Sequence, residues 1–364
     1  MRIQFSYSLS LLILAVLTGC GGSSSAPSVS DIQANQLVYG QTTQFTIAGS
    51  SLDSSLSVTA KGCSSFSASG TNSSTSSNWN CVVDEVGTNS VSVQVSNAAG
   101  VVLLDKTFDI PAPSTPVILS IKADNLKYSK TAQFTMTGYS LDKDFNVSTK
   151  NCGNLAVVSG GSSTAATVSC KVTAVGAGAV SFEAKLFDGT SLKTSTFDVL
   201  TPQVTMVTNL GTMRLELNPT AAPLSADNFL QYVNDKFYDN TIFHRLVTSG
   251  IFVAQGGWLT PTPAVQLGQR AAIALEVGKG LSNVKGTIAM ARSSEPNSAT
   301  SQFFFNLADN TDLDTANGGY AVFGKVITGL SILDALINVP TSTQYGLSDF
   351  PSQSVVVQSV SQTQ

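Results

Sequence analysis

The chain has 364 residues, of which only 12% are charged, and its formal net charge is -4. A chain of this length can hold two or three domains, since domains commonly span about 100 to 150 residues. The slight acidic excess excludes a basic surface of the kind that attracts nucleic acid. The abundance of Ser, Thr, Gly and Val is instead typical of exported β-rich proteins.

Residues 1–19 have the form of a cleavable export signal. Arg2 precedes an apolar run over residues 9–17 that is too short to cross a bilayer as a helix, and Cys20 follows soon after it. The segment resembles a bacterial lipoprotein signal peptide, which implies that Cys20 is lipidated and that residues 20–28 form a flexible tether. We therefore expect attachment to a membrane through Cys20, in the outer membrane of a bacterial envelope and facing the periplasm, with surface exposure as the alternative.

Two copies of one sequence unit fill residues 29–112 and 113–201. Residues 36–53 match residues 125–142 at 10 of 18 positions, and the offset of 89 residues continues through both copies. The alternation of polar and apolar residues predicts half-buried strands, so we expect two tandem β-sandwiches of immunoglobulin-like type. The copies contain no histidine and no acidic cluster with metal-ligand spacing. We interpret them as spacers, and a module that binds an unknown protein partner is the alternative.

Five cysteines divide into Cys20 and two pairs that repeat at the same offset. Because each copy must be able to make its bond alone, the repetition selects the pairs Cys63 with Cys81 and Cys152 with Cys170. Each bridge is expected to join neighbouring strands and to stabilise its domain by about 3 kcal/mol. Such bonds persist in an oxidising compartment, in agreement with export.

Residues 202–364 show the pattern of a third domain. An opening hairpin is predicted over residues 204–217, where a glycine-containing turn separates two alternating segments. Ser225 is the expected N-cap of a first helix, and a second helix is predicted from about Leu330 to Ile337. Further strands are expected over residues 242–245, 252–255, 286–290, 302–306, 322–326 and 355–360.

Three motifs in this third domain resemble the cyclophilin-type peptidyl-prolyl isomerases. They are Phe-His-Arg at residues 243–245 followed by Gln-Gly-Gly at residues 255–257, the segment 285–306, and the segment 318–326. The resemblance implies a closed antiparallel barrel of eight strands with two capping helices. The whole chain is thus expected to be mainly β, with two sandwiches followed by a barrel.

The same resemblance implies a set of site residues. Arg245 would be the catalytic donor, on a hairpin face shared with Phe243, Phe252 and Gln255, whereas Phe303 would belong to the barrel core. A pocket for the proline ring would be lined by Phe252, Val253, Phe304 and Leu313, with Tyr320 beside it, Ala291 and Gln302 on the peptide side, and Gln255 bonding the substrate backbone.

Isomerisation suits these residues better than hydrolysis does. His244 precedes Arg245 in a predicted strand, so the two side chains face opposite ways and no base stands beside a nucleophile. One histidine and no free thiol leave no plausible transition-metal site, and no cofactor is expected. Rotation about an X-Pro bond has a barrier of about 18 to 20 kcal/mol, and a guanidinium aimed at the prolyl nitrogen stabilises the twisted form.

The segment departs from the family pattern in three places. Nine residues separate Arg245 from Gln255, two more than usual, which predicts a bulge at residues 248–250. Val253 replaces the usual methionine, and Asp312 stands where the family has an aromatic residue, which predicts insensitivity to cyclosporin-type ligands. We expect a membrane-tethered isomerase acting on proline-containing segments of exported polypeptides. The alternative is a scaffold or adhesin whose barrel binds such segments without turning them over.

Overall fold

The computed structural model describes residues 25–52, 55–159 and 161–364, so the predicted signal peptide and Cys20 lie outside the described residues. None of the helices in these ranges combines the length and the hydropathy needed to span a membrane. The chain divides into two compact units, the first ending at Pro113 and the second spanning Ser114–Gln364. The second repeat and the C-terminal domain therefore form one unit.

The first unit contains a sandwich of two antiparallel sheets. Its strands are β1 (Ser28–Ala34), β2 (Thr42–Ser50), β3 (Leu56–Lys61), β4 (Cys63–Ala68), β5 (Ser76–Val83), β6 (Gly87–Asn97) and β7 (Val102–Ile110). The sheets have the orders β1-β2-β5-β4 and β3-β6-β7. Alternate residues point inward, so Phe45 and Ile47 from one sheet meet Val93 from the other in a fully buried core.

The second repeat has the same topology within the second unit. Its strands are β8 (Val117–Asp124), β9 (Thr131–Tyr139), β10 (Asn146–Lys150), β11 (Cys152–Ser159), β12 (Ala165–Val172), β13 (Gly176–Lys185) and β14 (Ser191–Val199). They form sheets of order β8-β9-β12-β11 and β10-β13-β14. The rings of Phe134 and Phe182, one from each sheet, lie 5.4 Å apart in the core.

Both predicted disulfides are present. Cys63–Cys81 joins β4 to β5 and Cys152–Cys170 joins β11 to β12, with Cα atoms 5.5 and 5.3 Å apart. In each case the two strands are hydrogen-bonded neighbours in one sheet. The pairing chosen from the repeat, and the expectation that each bridge joins neighbouring strands, are confirmed.

The C-terminal domain is a nearly closed antiparallel barrel. Its strands are β15 (Gln203–Thr208), β16 (Gly211–Leu217), β17 (Thr241–Phe243), β18 (Arg245–Ser249), β19 (Ile251–Gly256), β20 (Thr287–Met290), β21 (Phe303–Asn306), β22 (Val322–Thr328), β23 (Thr341–Gln344), β24 (Leu347–Pro351) and β25 (Val355–Gln362). Strands β23 and β24 form a separate hairpin, and the other nine follow the order β17-β25-β15-β16-β22-β20-β21-β19-β18.

The barrel closes through one interrupted strand. Strands β17 and β18 stand at the two ends of the sheet order yet are separated in sequence by His244 alone. One pairs with β25 and the other with β19, so a single stretch of chain brings both edges of the sheet together. Counted as one strand, they give the eight strands that the sequence predicts.

Two helices pack on the barrel, α1 (Pro223–Asn234) and α2 (Leu330–Ile337). The bounds of α2 are those predicted, but the prediction of Ser225 as the N-cap of α1 is wrong. Pro223, whose fixed φ suits a first helical position, starts the helix earlier. The Glu276 carboxylate accepts hydrogen bonds from the backbone N–H groups of Leu224 and Ser225, at 2.9 and 2.8 Å, and so caps the helix from a distant loop.

Aromatic side chains fill the barrel interior, and they show which residues of the strands point inward. Phe303 is fully buried there, as predicted, with its ring 5.5 Å from that of Phe229. Phe243 is also in the interior, 6.1 Å from both Phe303 and Phe305. The expectation that Phe243 shares a face with Arg245 is wrong, because the strand between them is interrupted at His244.

Candidate active site

The hairpin β18–β19 places Arg245 directly opposite Gln255. Val247 likewise faces Val253, and Ser249 faces Ile251 across the turn at Gly250. Since every second residue of a strand points to the same side, these six residues share one face. The two extra residues lengthen the ladder in regular pairing, so the predicted bulge at residues 248–250 is wrong.

This regular pairing turns Phe252 away from the site. Phe252 pairs with Thr248 on the opposite face and packs against the cluster that fills the barrel interior. The prediction that Phe252 lines the pocket is therefore wrong. Ile251 takes the place, because the longer ladder moves it onto the face of Arg245 and Gln255.

A cavity of about 100 Å³ lies over this face, and we call it the Arg245 cavity. Seven of its lining residues are among those expected from the sequence, and Ile251 and Arg292 are additional. The residues that line it are Arg245, Ile251, Val253, Gln255, Ala291, Arg292, Phe304, Leu313 and Tyr320.

Gln302 lies just beyond the Arg245 cavity. It lines an adjoining cavity of about 260 Å³ together with Gln255 and Ala291. The side-chain amide of Gln255 donates to the carbonyl oxygen of Gln302 at 2.8 Å. The three residues expected to meet the peptide backbone are thus placed side by side at the junction of the two cavities.

Strand β21 explains why one phenylalanine of three reaches the site. Phe303 and Phe305 point into the barrel, so Phe304 points outward and packs with Val253 and Leu313. Only 4% of its surface is exposed, and its ring lies 5.8 Å from that of Tyr320 at an edge-on angle. Phe304 therefore gives the cavity a rigid apolar wall.

Two arginines line the cavity, and their hydrogen bonds distinguish them. Arg292 donates to the carbonyl oxygens of Gly319, Asn317 and Ser293 and lies over the Tyr320 ring, with its guanidinium carbon 4.8 Å from the ring centre. The donors of Arg292 therefore hold the loop that contains Asn317 and Gly319. Arg245 makes no side-chain hydrogen bond within the described part of the chain, so its donors are available to a ligand. Sequence reasoning missed Arg292, although it directly follows Ala291.

The nearest ionised group to Arg245 is a carboxylate at the rim of the cavity. Arg245 Nε and Asp349 Oδ2 are 3.8 Å apart, and the side chains are 41% and 39% exposed. Asp349 belongs to β24, which lies against β18. The hairpin β23–β24 was not expected from the sequence, where its short strands contain few alternating apolar residues.

A chain of buried asparagines supports the cavity from behind. The Asn310 side chain brackets Phe252, accepting from its N–H at 3.0 Å and donating to its carbonyl at 2.9 Å. Asn310 also donates to Asn306, Asn306 donates to Asn283, and Asn283 donates to Asp314. This chain joins β19 to the 3₁₀ turn Thr311–Asp314 that carries Leu313. Its sequence signal is the pair Asn306 and Asn310, four residues apart after β21.

Hydrogen bonds stabilise the charged form of Asp314 in the loop that supports the cavity. Burial by itself would raise the pKa of Asp314, but hydrogen bonds from Ser282 and Asn283 outweigh it and lower the pKa. Asp312, two residues earlier, is exposed and is not among the residues that line the Arg245 cavity. At this position, where the family pattern has an aromatic residue, the side chain of this protein does not line the cavity.

The His244 side chain is buried, and it lies within hydrogen-bonding reach of Gln302. Its ring is 3% exposed and meets the edge of Trp258, with the ring centres 5.2 Å apart. Burial, reinforced by the charge of Arg245, lowers the pKa of His244 to about 4. A neutral imidazole behind the hairpin contributes packing and no proton transfer to a ligand at Arg245.

Comparison with known proteins agrees with this geometry. Residues 203–362 match the family described as cyclophilin type peptidyl-prolyl cis-trans isomerase/CLD. A peptidyl-prolyl cis-trans isomerase of Acinetobacter baylyi is 49% identical over 43% of this chain and 83% of its own length. The isomerase cyp18 of Streptomyces antibioticus is 45% identical over 43% of this chain and 95% of its own length.

Among solved structures, a cyclophilin-type isomerase of Cryptosporidium parvum, crystallised in the presence of the dipeptide Ala-Pro, shares 30% identity. The match covers 44% of this chain and 99% of the other, with a TM-score of 0.38. On the strength of the sequence relatives, the chain belongs to the cyclophilin-type peptidyl-prolyl cis-trans isomerase family. The expected enzyme class, an isomerase, is confirmed.

Proposed function

We propose that the C-terminal domain catalyses cis-trans isomerisation of X-Pro bonds in exported polypeptides. The observation that carries the proposal is the placement of Arg245 opposite Gln255 at the wall of a small cavity backed by Phe304 and Leu313. Such a cavity accepts a proline ring while a free guanidinium stands beside the prolyl nitrogen.

The chemistry needs stabilisation of the twisted bond and no covalent step. Twisting removes amide resonance and leaves a lone pair on the prolyl nitrogen, to which Arg245 can donate. A charge-assisted hydrogen bond of this kind contributes about 1.5 to 3 kcal/mol, which is one to two powers of ten in rate. Only interactions stronger in the twisted than in the planar form accelerate the reaction.

The remaining residues hold the substrate while the bond turns. Val253, Phe304 and Leu313 present apolar surface to the proline ring. The amides of Gln255 and Gln302 offer donors and acceptors to the peptide backbone on the side of Ala291. Fixing one side of the bond while leaving the other free to rotate keeps the bound substrate close to the reactive geometry.

An NMR exchange measurement on an Ala-Pro peptide tests the proposal. We expect Arg245→Ala to lower kcat/KM by about 10-fold to 100-fold with little change in stability, since the side chain is half exposed. Arg245→Lys should recover only part of the loss because a lysine ammonium lacks the planar fork of donors. Arg270→Ala is a matched control, since Arg270 pairs with Asp235 outside the cavity.

The outcome separates catalysis from binding. If wild type and Arg245→Ala both exchanged the peptide at the uncatalysed rate while still binding it, the barrel would be a proline-segment binder. In that case the scaffold or adhesin reading would replace the isomerase.

The proposal includes a lipid anchor at Cys20 in a bacterial outer membrane. It is supported by the signal-like sequence of residues 1–19 and by two disulfides, which persist in oxidising compartments. Radiolabelled palmitate should be incorporated into wild type in a bacterial host, with the protein in the membrane fraction. Cys20→Ala should abolish both. Equal labelling of the two proteins would refute the anchor.

A further inference from the structure

A second cavity lies where the second repeat meets the barrel. Its volume is about 520 Å³, five times that of the Arg245 cavity and within the range of ligand-binding sites. Val175 and Thr201 line it from the second repeat, and Leu217, Leu281, Val284 and Val322 line it from the barrel. We call it the junction cleft.

Specific contacts outside the cleft lining hold the second repeat against the barrel domain. Lys171 of the repeat lies 2.8 Å from Asp227 on α1, and Ser129 donates a hydrogen bond to the same carboxylate. The buried hydroxyl of Tyr128 donates to the carbonyl oxygen of Pro223 at 3.1 Å, and burial raises the pKa of Tyr128. A single apolar cluster runs from the repeat into the barrel. The cleft is therefore preformed.

Two of the three polar docking residues, Ser129 and Lys171, occur only in the second copy of the repeat. At the offset of 89 residues, the first copy has Gly40 where the second has Ser129, and Val82 where the second has Lys171. A repeat that served only as a spacer would have no use for a charged anchor on the barrel. The second repeat is thus built to hold a fixed position beside the site.

The cleft continues the apolar surface of the Arg245 cavity. Val322 belongs to one cluster with Phe304 and Leu313, and Leu281 packs against that cluster. Both Val322 and Leu281 also line the junction cleft. A cavity of about 200 Å³ lies between the junction cleft and the Arg245 cavity. It shares Tyr320 with the Arg245 cavity and Leu281 and Val322 with the cleft, and Glu276, Lys279 and Asp314 also line it.

Charge at the cleft selects against ionic ligands. The two ionised side chains that line it, Glu216 and Lys325, lie 3.7 Å from each other, so the cleft presents no net charge. The apolar side chains in its walls offer burial to aliphatic or aromatic side chains of a ligand.

We propose that the junction cleft binds an apolar stretch of the same polypeptide whose X-Pro bond occupies the Arg245 cavity. This inference rests on the proposed function and extends it: the second repeat is part of the client-binding surface. Linking two weak sites on one chain raises the affinity for unfolded segments above that for a short peptide. The substrate class is then an extended, uncharged segment with apolar residues some distance from the proline.

Fluorescence anisotropy with synthetic peptides tests the cleft independently of catalysis. One peptide is a short Ala-Pro tetrapeptide, and two others carry about eight added residues, spanning up to roughly 27 Å, on either side of it. We expect Leu- and Val-containing extensions on one side to lower Kd by about tenfold, which is about 1.4 kcal/mol. Extensions of Gly and Ser should not.

Two variants block the cleft in different ways. Thr201→Trp fills it, and Val284→Asp places a charge on a residue that is 38% exposed in its wall. Both should return the Kd of the extended peptide to that of the tetrapeptide without changing isomerisation of the tetrapeptide. Thr194→Trp, at an exposed threonine of the same repeat outside the cleft, should change neither.

The two proposals fail in different ways. If apolar extensions on either side gave the wild type no gain in affinity, or if both cleft variants kept the gain, the cleft proposal would be overturned. If the wild type failed to isomerise the tetrapeptide but still bound the apolar extended peptide more tightly, the catalytic proposal alone would fall. Arg245→Ala should keep the affinity gain while losing the rate.

Discussion

Arg245 and Asp349 face each other at the rim of the Arg245 cavity, with Nε and Oδ2 3.8 Å apart. That separation is too long for a hydrogen bond but short enough for the carboxylate to offset part of the guanidinium charge. The pair is partly exposed, so its interaction is worth about 1 kcal/mol or less. Asp349 therefore weakens the donor without holding it in place.

Removing this charge should raise the rate. We expect Asp349→Asn to increase kcat/KM on a short Ala-Pro peptide by about twofold to fivefold at low salt. The gain should disappear near about 1 M salt, where the screening length falls to about 3 Å. Asp334→Asn is the control, because Asp334 pairs with Lys285 away from the cavity. A loss of activity in Asp349→Asn would instead make Asp349 a positioning residue.

The lengthened hairpin predicts opposite effects at two adjacent residues. Ile251→Ala should raise KM several-fold with little loss of stability, because Ile251 lines the cavity and is partly exposed. Phe252→Ala should leave KM almost unchanged but lower the free energy of unfolding by about 1 to 3 kcal/mol, since its ring packs on the barrel interior. Peptide kinetics and urea denaturation on both variants check this. The reverse pattern would show that Phe252 reaches the substrate.

The buried His244 predicts how stability depends on pH. Its pKa falls from 6.5 in the unfolded chain to about 4 in the folded one, so below pH 6.5 the unfolded state binds more protons. Stability should therefore be full above that pH and should fall by about 2 kcal/mol between about pH 7 and about pH 5. His244→Gln should remove this part of the slope in urea denaturation. Isomerisation should not change between about pH 6 and 8, and a pH-dependent kcat there would count against a reaction without proton transfer.

The contacts of Asp227 with Lys171 and Ser129 predict that the second repeat and the barrel unfold together. Asp227→Ala removes the partner of Lys171 and Ser129 and should cost about 2 kcal/mol, with faster hydrogen exchange around Tyr128. Asp235→Asn, near the end of the same helix, should have a far smaller effect because its partner Arg270 is on the surface. Unchanged exchange near Tyr128 in Asp227→Ala would show that the apolar contacts alone hold the interface.

The strands and helices of the barrel could be predicted because their signals are local, and the closed barrel followed from the resemblance of three motifs to the family. The resemblance implied that Phe304 lies in the site, and alternation then predicted that its neighbour Phe303 lies in the core. The repeat alone was enough to pair four cysteines. The strand bounds followed from the same alternation to within one to four residues, and those of α2 were exact.

The missed features depend on contacts between distant segments. Glu276 caps α1 from a loop about 50 residues away. Phe252 lies on the face opposite to the one predicted because the two extra residues extend the regular pairing of β18 with β19 and form no bulge. Asp349 reaches Arg245 only through the fold of β23 and β24. None of these follows from the residues next to them in the chain.

The shared core of the second repeat and the barrel decides how this enzyme can be cut for laboratory use. A recombinant fragment starting at residue 202, the apparent domain border in the sequence, would expose the surface that Tyr128 covers and would leave Asp227 without its lysine. A fragment that begins near Ser114 keeps that surface covered and should be the better-behaved of the two proteins for crystallisation.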